Sequence, residues 1–191
     1  MESIKILIIG DSKIGKTLIK NILLDNRIAY DGKTNGVEYD VFIKIYKGLI
    51  YNVHLYDCGG DKKYKNILSY YFRDDKFYII CFNATDINFK NSIEYWMSQI
   101  KKKSINKNIL LVGIYYSSGL SYELKQKIIN YIEGLSLSYT FLNLENESNV
   151  KEIVDIIIEK NLITESNEED SIYTPLTSKK KTRKCINCVI A

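Results

Sequence analysis

Two periods of apolar residues alternate along the chain. Ile4–Ile9 is a short, β-rich apolar run that ends in a glycine loop, and Leu18, Ile19, Ile22 and Leu23 then recur at helical spacing. Val37, Tyr39, Val41, Ile43 and Ile45 alternate as a strand does. Lys47-Gly48 breaks that run and Ile50–Tyr56 resumes it, which predicts an antiparallel hairpin. Phe77–Phe82 reads as a fully buried strand, followed by Phe89, Ile93, Trp96 and Ile100 at helical spacing. Ile109–Val112 predicts another buried strand, Tyr122–Leu135 an amphipathic helix and Tyr139–Leu142 a short strand. Val150, Ile153, Val154 and Ile157 form the apolar face of a last helix. Strands alternating with helices predict an α/β fold: six strands, mostly parallel, with helices on both faces and the hairpin adding one antiparallel edge strand.

The pattern stops at Asn161. Residues 165–184 are polar, with Glu168, Glu169 and Asp170 followed by Pro175 and the basic run Lys179-Lys-Lys-Thr-Arg-Lys184. The expected organisation is a domain over residues 1–161 and a flexible tail over 162–191 that has no core of its own. The net charge of +4 is traced to that basic run, which carries five positive charges, so the remainder is close to neutral and gives no sign of a nucleic-acid partner. The four cysteines, at positions 58, 81, 185 and 188, do not suggest a disulfide framework. With no signal-peptide pattern and no apolar stretch near the ~18 residues of a membrane span, a reducing, cytosolic compartment is expected.

The chemistry is concentrated early. Gly10-Asp11-Ser12-Lys13-Ile14-Gly15-Lys16-Thr17 matches the full phosphate-loop pattern, between a predicted strand and a predicted helix. Glycines let backbone N–H groups turn inward around an anion, and the helix N-terminus adds its own positive potential. Lys16 can reach β- and γ-phosphates, and the Thr17 hydroxyl can bind Mg²⁺. About 40 residues on, Asp57-Cys58-Gly59-Gly60 ends the hairpin's second strand. Its carboxylate is placed to face Mg²⁺ through water, and Gly60 allows close approach of an amide to a γ-phosphate. His54 is expected on the polar side of its strand, Cys58 and Cys81 in packing roles, and the Trp96 face in the core.

Over roughly residues 4–161, plus the last few, the chain resembles a small GTPase of the Ras superfamily, with the P-loop NTPase fold, and most resembles the Rab family. Thr34-Asn35-Gly36-Val37-Glu38-Tyr39 is similar to the Rab switch I segment, usually Thr-Ile-Gly-Val-Asp-Phe. Asp57–Gly60 matches the start of switch II, and Ser69-Tyr70-Tyr71, Thr85-Asp86, Phe89 and Trp96 fall where Rab proteins carry such residues. The resemblance implies GTP and GDP as ligands, Mg²⁺ held by Thr17, Thr34 and, through water, Asp57, and residues 34–39 as an effector region. It further implies switches over about 27–38 and 57–72 that GTP orders, effectors that read them, and an exchange factor, a GTPase-activating protein and a prenyltransferase as partners.

Three departures change that picture. The catalytic position after Asp-x-x-Gly holds Asp61 rather than glutamine, so the amide that orients the attacking water is missing and slow hydrolysis is expected. The guanine-specificity motif Asn-Lys-x-Asp aligns with Ile114-Tyr115-Tyr116-Ser117, in which Ser117 cannot make the bidentate contact to the base, while Tyr115 or Tyr116 can stack on it. The late Ser-Ala-Lys motif aligns with Asn143-Leu144-Glu145, and the switch I aromatic that packs on guanine falls near Arg27 and Ile28.

The chain ends Cys188-Val-Ile-Ala191, a prenylation box in which final alanine favours farnesyl, although Rab proteins usually carry geranylgeranyl groups. One lipid anchors marginally, and the basic run supplies a second signal toward an anionic membrane. The expected place is therefore the cytoplasmic face of a membrane. Three functions stay open on sequence: a membrane-anchored switch in vesicle trafficking, a degenerate member that acts as a constitutive scaffold, and a small-molecule kinase. The placement of Thr34, Asp57 and the terminal box speaks against the last.

Overall fold

The computed structural model describes residues 2–25, 34–73, 76–105, 108–116 and 119–172, with side chains as far as residue 160. The chain divides into two units, residues 1–158 and 159–191. Arg27, Ile28, Ser117, the basic run at 179–184, Cys185 and Cys188 lie outside the described residues.

Six strands form one sheet: β1 (Glu2–Gly10), β2 (Val37–Tyr46), β3 (Leu49–Cys58), β4 (Phe77–Asn83), β5 (Ile109–Tyr115) and β6 (Ser138–Asn143). Their order is β2-β3-β1-β4-β5-β6, all parallel except the β2–β3 hairpin, as the alternation of periods predicts. The three central strands carry near-continuous apolar runs because both their faces are covered. Ile6 to Ile9, Tyr78 to Cys81 and Leu111 to Val112 are fully buried.

Helices α1 (Lys16–Leu23), α3 (Phe89–Lys101) and α4 (Tyr122–Leu135) pack on the sheet through residues at helical spacing. Examples are Ile93, Trp96 and Ile100 on α3 and Ile128 and Ile132 on α4. A 3-10 turn at Lys62–Tyr64 and a short helix α2 (Lys65–Leu68) follow β3. Neither shows in the sequence pattern, since four residues are too few to display a period. Helix α5 (Glu147–Ile172) buries Val150, Ile153, Val154 and Ile157 in the first unit, as its spacing predicts. Its backbone continues helically past Asn161, where the polar composition predicts the tail to begin.

The topology fixes where chemistry can occur. β1, β3 and β4 run parallel, so their carboxyl ends lie together, and the loops after β1 and β3 meet there. Those loops are Gly10–Thr17 and Asp57–Gly60.

Candidate functional site

The loop after β1 is shaped by glycine. Gly10 has φ +145°, and a Cβ added there would lie 2.2 Å from the Cys81 carbonyl oxygen on the neighbouring β4. Gly15, at φ +103°, precedes the first turn of α1, so the helix N-terminus opens onto the loop. Lys16 is buried, and its Nζ donates to the carbonyls of Gly10 at 2.9 Å and Asp11 at 2.6 Å. Burial holds its ammonium below the ordinary value of 10.5, against nearby groups that raise it, Asp57 among them. The loop is thus wrapped around a desolvated cation, the partner an anion requires.

Beside it, three side chains from distant positions converge. Thr17 and Thr34 both donate to Asp57 Oδ2, at 2.7 and 3.1 Å, and their hydroxyl oxygens are 2.9 Å apart. Asp57 is fully buried, and its other oxygen, Oδ1, has no hydrogen-bond partner among the described residues. An orphaned buried carboxylate oxygen is costly unless something charged or hydrated completes it. Two hydroxyls and a carboxylate are all hard oxygen donors, the class Mg²⁺ takes. The residues therefore fit the ion. Among the described residues no three His, Cys, Asp or Glu side chains cluster as a metal site.

Desolvation raises the Asp57 pKa above its ordinary 3.8, while Thr17, Lys16, Thr34 and Lys20 oppose the rise. The sign follows: ionised Asp57 costs the ligand-free fold stability at pH above that raised value, and the cost is relieved as pH falls through it toward 3.8. Asp57→Asn should therefore melt higher than the wild type at neutral pH without ligand. The difference should close as pH falls below the raised value, in melting curves taken across pH. The same variant should weaken the Mg²⁺ enhancement of nucleotide affinity about tenfold or more, measured by titration with and without Mg²⁺.

The segment after Asp57 threads between the loop and the end of switch I. A Cβ on Gly60 would lie 2.4 Å from Asp11 C and Ser12 N and 2.5 Å from the Gly10 oxygen. Gly59 N–H donates to the Gly36 carbonyl at 2.8 Å, and Tyr64 donates to Asn35 Oδ1 at 2.8 Å. Both expected switch segments are thereby joined to each other and to the loop. Asp61 caps the 3-10 turn, accepting from Lys63 N–H at 3.0 Å and pairing with Lys63 Nζ at 3.6 Å.

Two contributions were not legible in the motif. The Trp96 indole N–H donates to Asp11 Oδ1 at 3.0 Å, so this core residue also fastens the phosphate loop to α3. Lys13 stands at φ +63°, a left-handed conformation that costs a lysine on the order of 1 kcal/mol.

At the opposite end of the site the described residues are largely apolar. Ile114 is buried at the end of β5. The Tyr115 carbonyl accepts from Leu144 N–H at 3.3 Å. A Cβ added at Gly15 would meet Leu144 Cδ1 at 2.3 Å and the Tyr116 hydroxyl at 3.8 Å, so both side chains crowd the loop. Tyr116 is half exposed. In the sequence Leu144 stands only within a lost motif, and its role as a wall over Gly15 needed the fold. Cys58 and Cys81 are buried and free, and burial pushes both thiols up, Cys81 to about 12, so both pack rather than react. His54 Nδ1 lies 2.7 Å from the Tyr39 hydroxyl on the sheet face.

The family described as Roc, Ras of Complex, domain of DAPkinase, matches residues 5–116, more than half of the chain. The chain is 26% identical to the Ras-related protein RABD2b of Arabidopsis thaliana, over 78% of this chain and 75% of that protein. It is 24% identical to the Ras-related protein Rab-34 of Rattus norvegicus, over 87% of this chain and 68% of that protein. It is also 30% identical to the Ras-related protein RIC1 of Oryza sativa subsp. japonica, over 57% and 55%.

Proposed function

The chain belongs to the Ras-type small GTPases, as a divergent Rab-like member, and on that premise we propose that it is a membrane-anchored guanine-nucleotide switch with slow hydrolysis, acting in membrane traffic. The observation that carries the reading is the convergence of Thr17, Thr34 and Asp57, with an unpartnered Asp57 oxygen, beside a loop that already encloses Lys16.

In this reading the loop amides and Lys16 would bind the β- and γ-phosphates, and Thr17, Thr34 and Asp57 would hold Mg²⁺. The ion supplies neutralisation of charge that develops on the phosphates during transfer. Thr34 and Gly60 sense the γ-phosphate, because each is linked to the other's segment through Gly59 and Gly36. Loss of the γ-phosphate loosens both. Effectors would read Tyr39, Tyr56 and Tyr71, whose rings form a continuous row with centroids 4.9 and 5.8 Å apart. Exchange factors and activating proteins belong to the same reading.

Asp61 sets the rate. Its carboxylate has no N–H to orient water, and its charge repels the γ-phosphate. It is held by Lys63 as the cap of the 3-10 turn. Asp61→Gln should raise single-turnover GTP hydrolysis about tenfold or more. An unchanged rate would show that the missing amide is not what limits turnover.

Anchoring rests on Cys188 and the basic run, with Cys188 as the prenylation site. No helix among the described residues is long and apolar enough to cross a membrane; in this reading the lipid on Cys188 attaches the chain to the cytoplasmic face of a membrane. A Cys188→Ser variant that partitions to membranes like the wild type would contradict this.

The scaffold reading has one observation in its favour: among the described residues at the base end, Ile114 is buried and the apolar Leu144 lies over Gly15. It differs from the switch in expecting no preference among nucleotides.

A further inference from the structure

The outer edge of the sheet is long and unbroken, and its solvent-facing side is apolar. β2 pairs with β3 over ten consecutive positions, Val37 to Tyr46, without a bulge, proline or glycine. Natural edge strands are blunted by such breaks or by charged side chains, and the only charges on β2 lie on its covered face. Here the exposed face of β2 is apolar: Tyr39, Val41, Ile43 and Ile45 are 52, 48, 64 and 68% exposed. The strand's charges lie on the other face, where Lys20 pairs with Glu38 and with Asp40 at 3.4 Å, and Lys44 pairs with Asp155 at 2.7 Å. β2 ends the strand order, so among the described residues its outer backbone groups face no further strand.

The sequence of β2 is complementary to itself when reversed. Antiparallel pairing of two copies about a two-fold axis at Phe42 sets Asp40 opposite Lys44 of the second copy, twice by symmetry. On the exposed face it sets Val41 opposite Ile43 and Tyr39 opposite Ile45. Every directly opposed pair on that face is then apolar, and both Asp–Lys pairs are attractive. A slip of two residues toward the N-terminus sets Glu38 rather than Asp40 opposite Lys44, but puts Asp40 against Phe42 twice. A slip the other way puts Lys44 against Phe42. Residue pairs are the unit of sheet stability, so the centred register is favoured over both.

We propose that two copies of this chain associate through their β2 edges in that register, joining their sheets into one of twelve strands. The occupant is a second copy because reversal of this same segment sets Asp40 opposite Lys44 twice and apolar residues opposite one another on the exposed face. The proposal is independent of nucleotide identity and of hydrolysis.

The test is sedimentation velocity on the full chain at up to ~100 μM, in wild type, Asp40→Lys and Lys44→Asp, with melting curves to verify folding. A wild-type dimer is expected, with each variant weakened on the order of a hundredfold because two like-charged pairs replace two attractive ones. Mixing the two variants should restore a one-to-one dimer. One chain then carries lysine at both positions and the other aspartate at both, so each of the two opposed pairs is attractive again. A merely structural role for these side chains would not produce that rescue. A wild type that stays monomeric overturns the proposal and leaves the apolar face to a different partner or a lipid surface. A dimer indifferent to Asp40→Lys, or a mixture that fails to associate, also overturns it.

Discussion

Replacing Lys16 with alanine is expected to raise the dissociation constant for GDP on the order of a thousandfold. The lysine is buried within the loop, and burial lowers its pKa, so its ammonium is held poised with little water to compete for it. In the ligand-free protein it is satisfied by two loop carbonyls. A phosphate offers a full negative charge instead, and hydrogen bonds to charged groups contribute about 1.5–3 kcal/mol each. Two such bonds lost correspond to roughly two to four decades of affinity. Stability should move far less, because the variant loses two hydrogen bonds but also sheds the cost of burying an ammonium. Titration of a fluorescent GDP analogue, alongside melting curves, separates the two effects. Affinity within tenfold of the wild type would mean that Lys16 does not face the phosphates.

The second large effect is on folding. Gly10→Ala puts a methyl group 2.2 Å from the Cys81 carbonyl oxygen and 2.9 Å from Ile14 Cδ1, at φ +145°, where an L side chain is strained before any contact is counted. Backbone strain and overpacking each cost about 1–3 kcal/mol. The Cys81 carbonyl cannot yield cheaply because it is backbone of β4, whereas the Ile14 methyl is a side-chain end that can turn away, so the β4 contact carries the cost. A loss of roughly 3 kcal/mol or more should lower the melting temperature by about 10 °C in a chain of this size. Gly48→Ala is the natural comparison. Its φ of +80° is strained too, but nothing lies within 4 Å of the added Cβ. If both variants melt alike, the close approach of β1 to β4 is not what requires Gly10.

The contrast between these glycines shows which parts of the molecule the sequence discloses. The phosphate loop is legible because its chemistry acts through backbone geometry, which restricts residue type at fixed, adjacent positions. The hairpin and the central strands are legible because burial on one face or on both imposes a period. Contacts between distant positions leave no such trace. Trp96 and Asp11 are 85 residues apart, and no local pattern around either announces their hydrogen bond. Leu144 reads only as a departure from a motif until β6 brings it over Gly15. The left-handed Lys13 is hidden for another reason, since the motif leaves that position open and a lysine reports nothing of its φ. The sequence shows what Asp61 cannot donate; that it caps the turn through Lys63 depends on a 3-10 segment too short to predict. The β2 edge lies between these cases. Its alternation is plain in the sequence, but the apolar residues face outward, and only the strand order exposes that.

The phosphate side and the base side of the site thus point in different directions. In the proposed function Lys16, Thr17, Thr34 and Asp57 form the phosphate and Mg²⁺ site, whereas among the described residues at the base end Ile114 is buried and Leu144 and Tyr116 lie near Gly15. Whether phosphate contacts and shape suffice for guanine preference decides between switch and scaffold. The direct measurement is to denature the purified protein, identify the nucleotide it releases, and titrate the refilled site with GTP, GDP and ATP in the presence of Mg²⁺. The proposed function predicts a released guanine nucleotide, tight binding of GTP and GDP and weak binding of ATP. Equal binding of all three, or none, would contradict it.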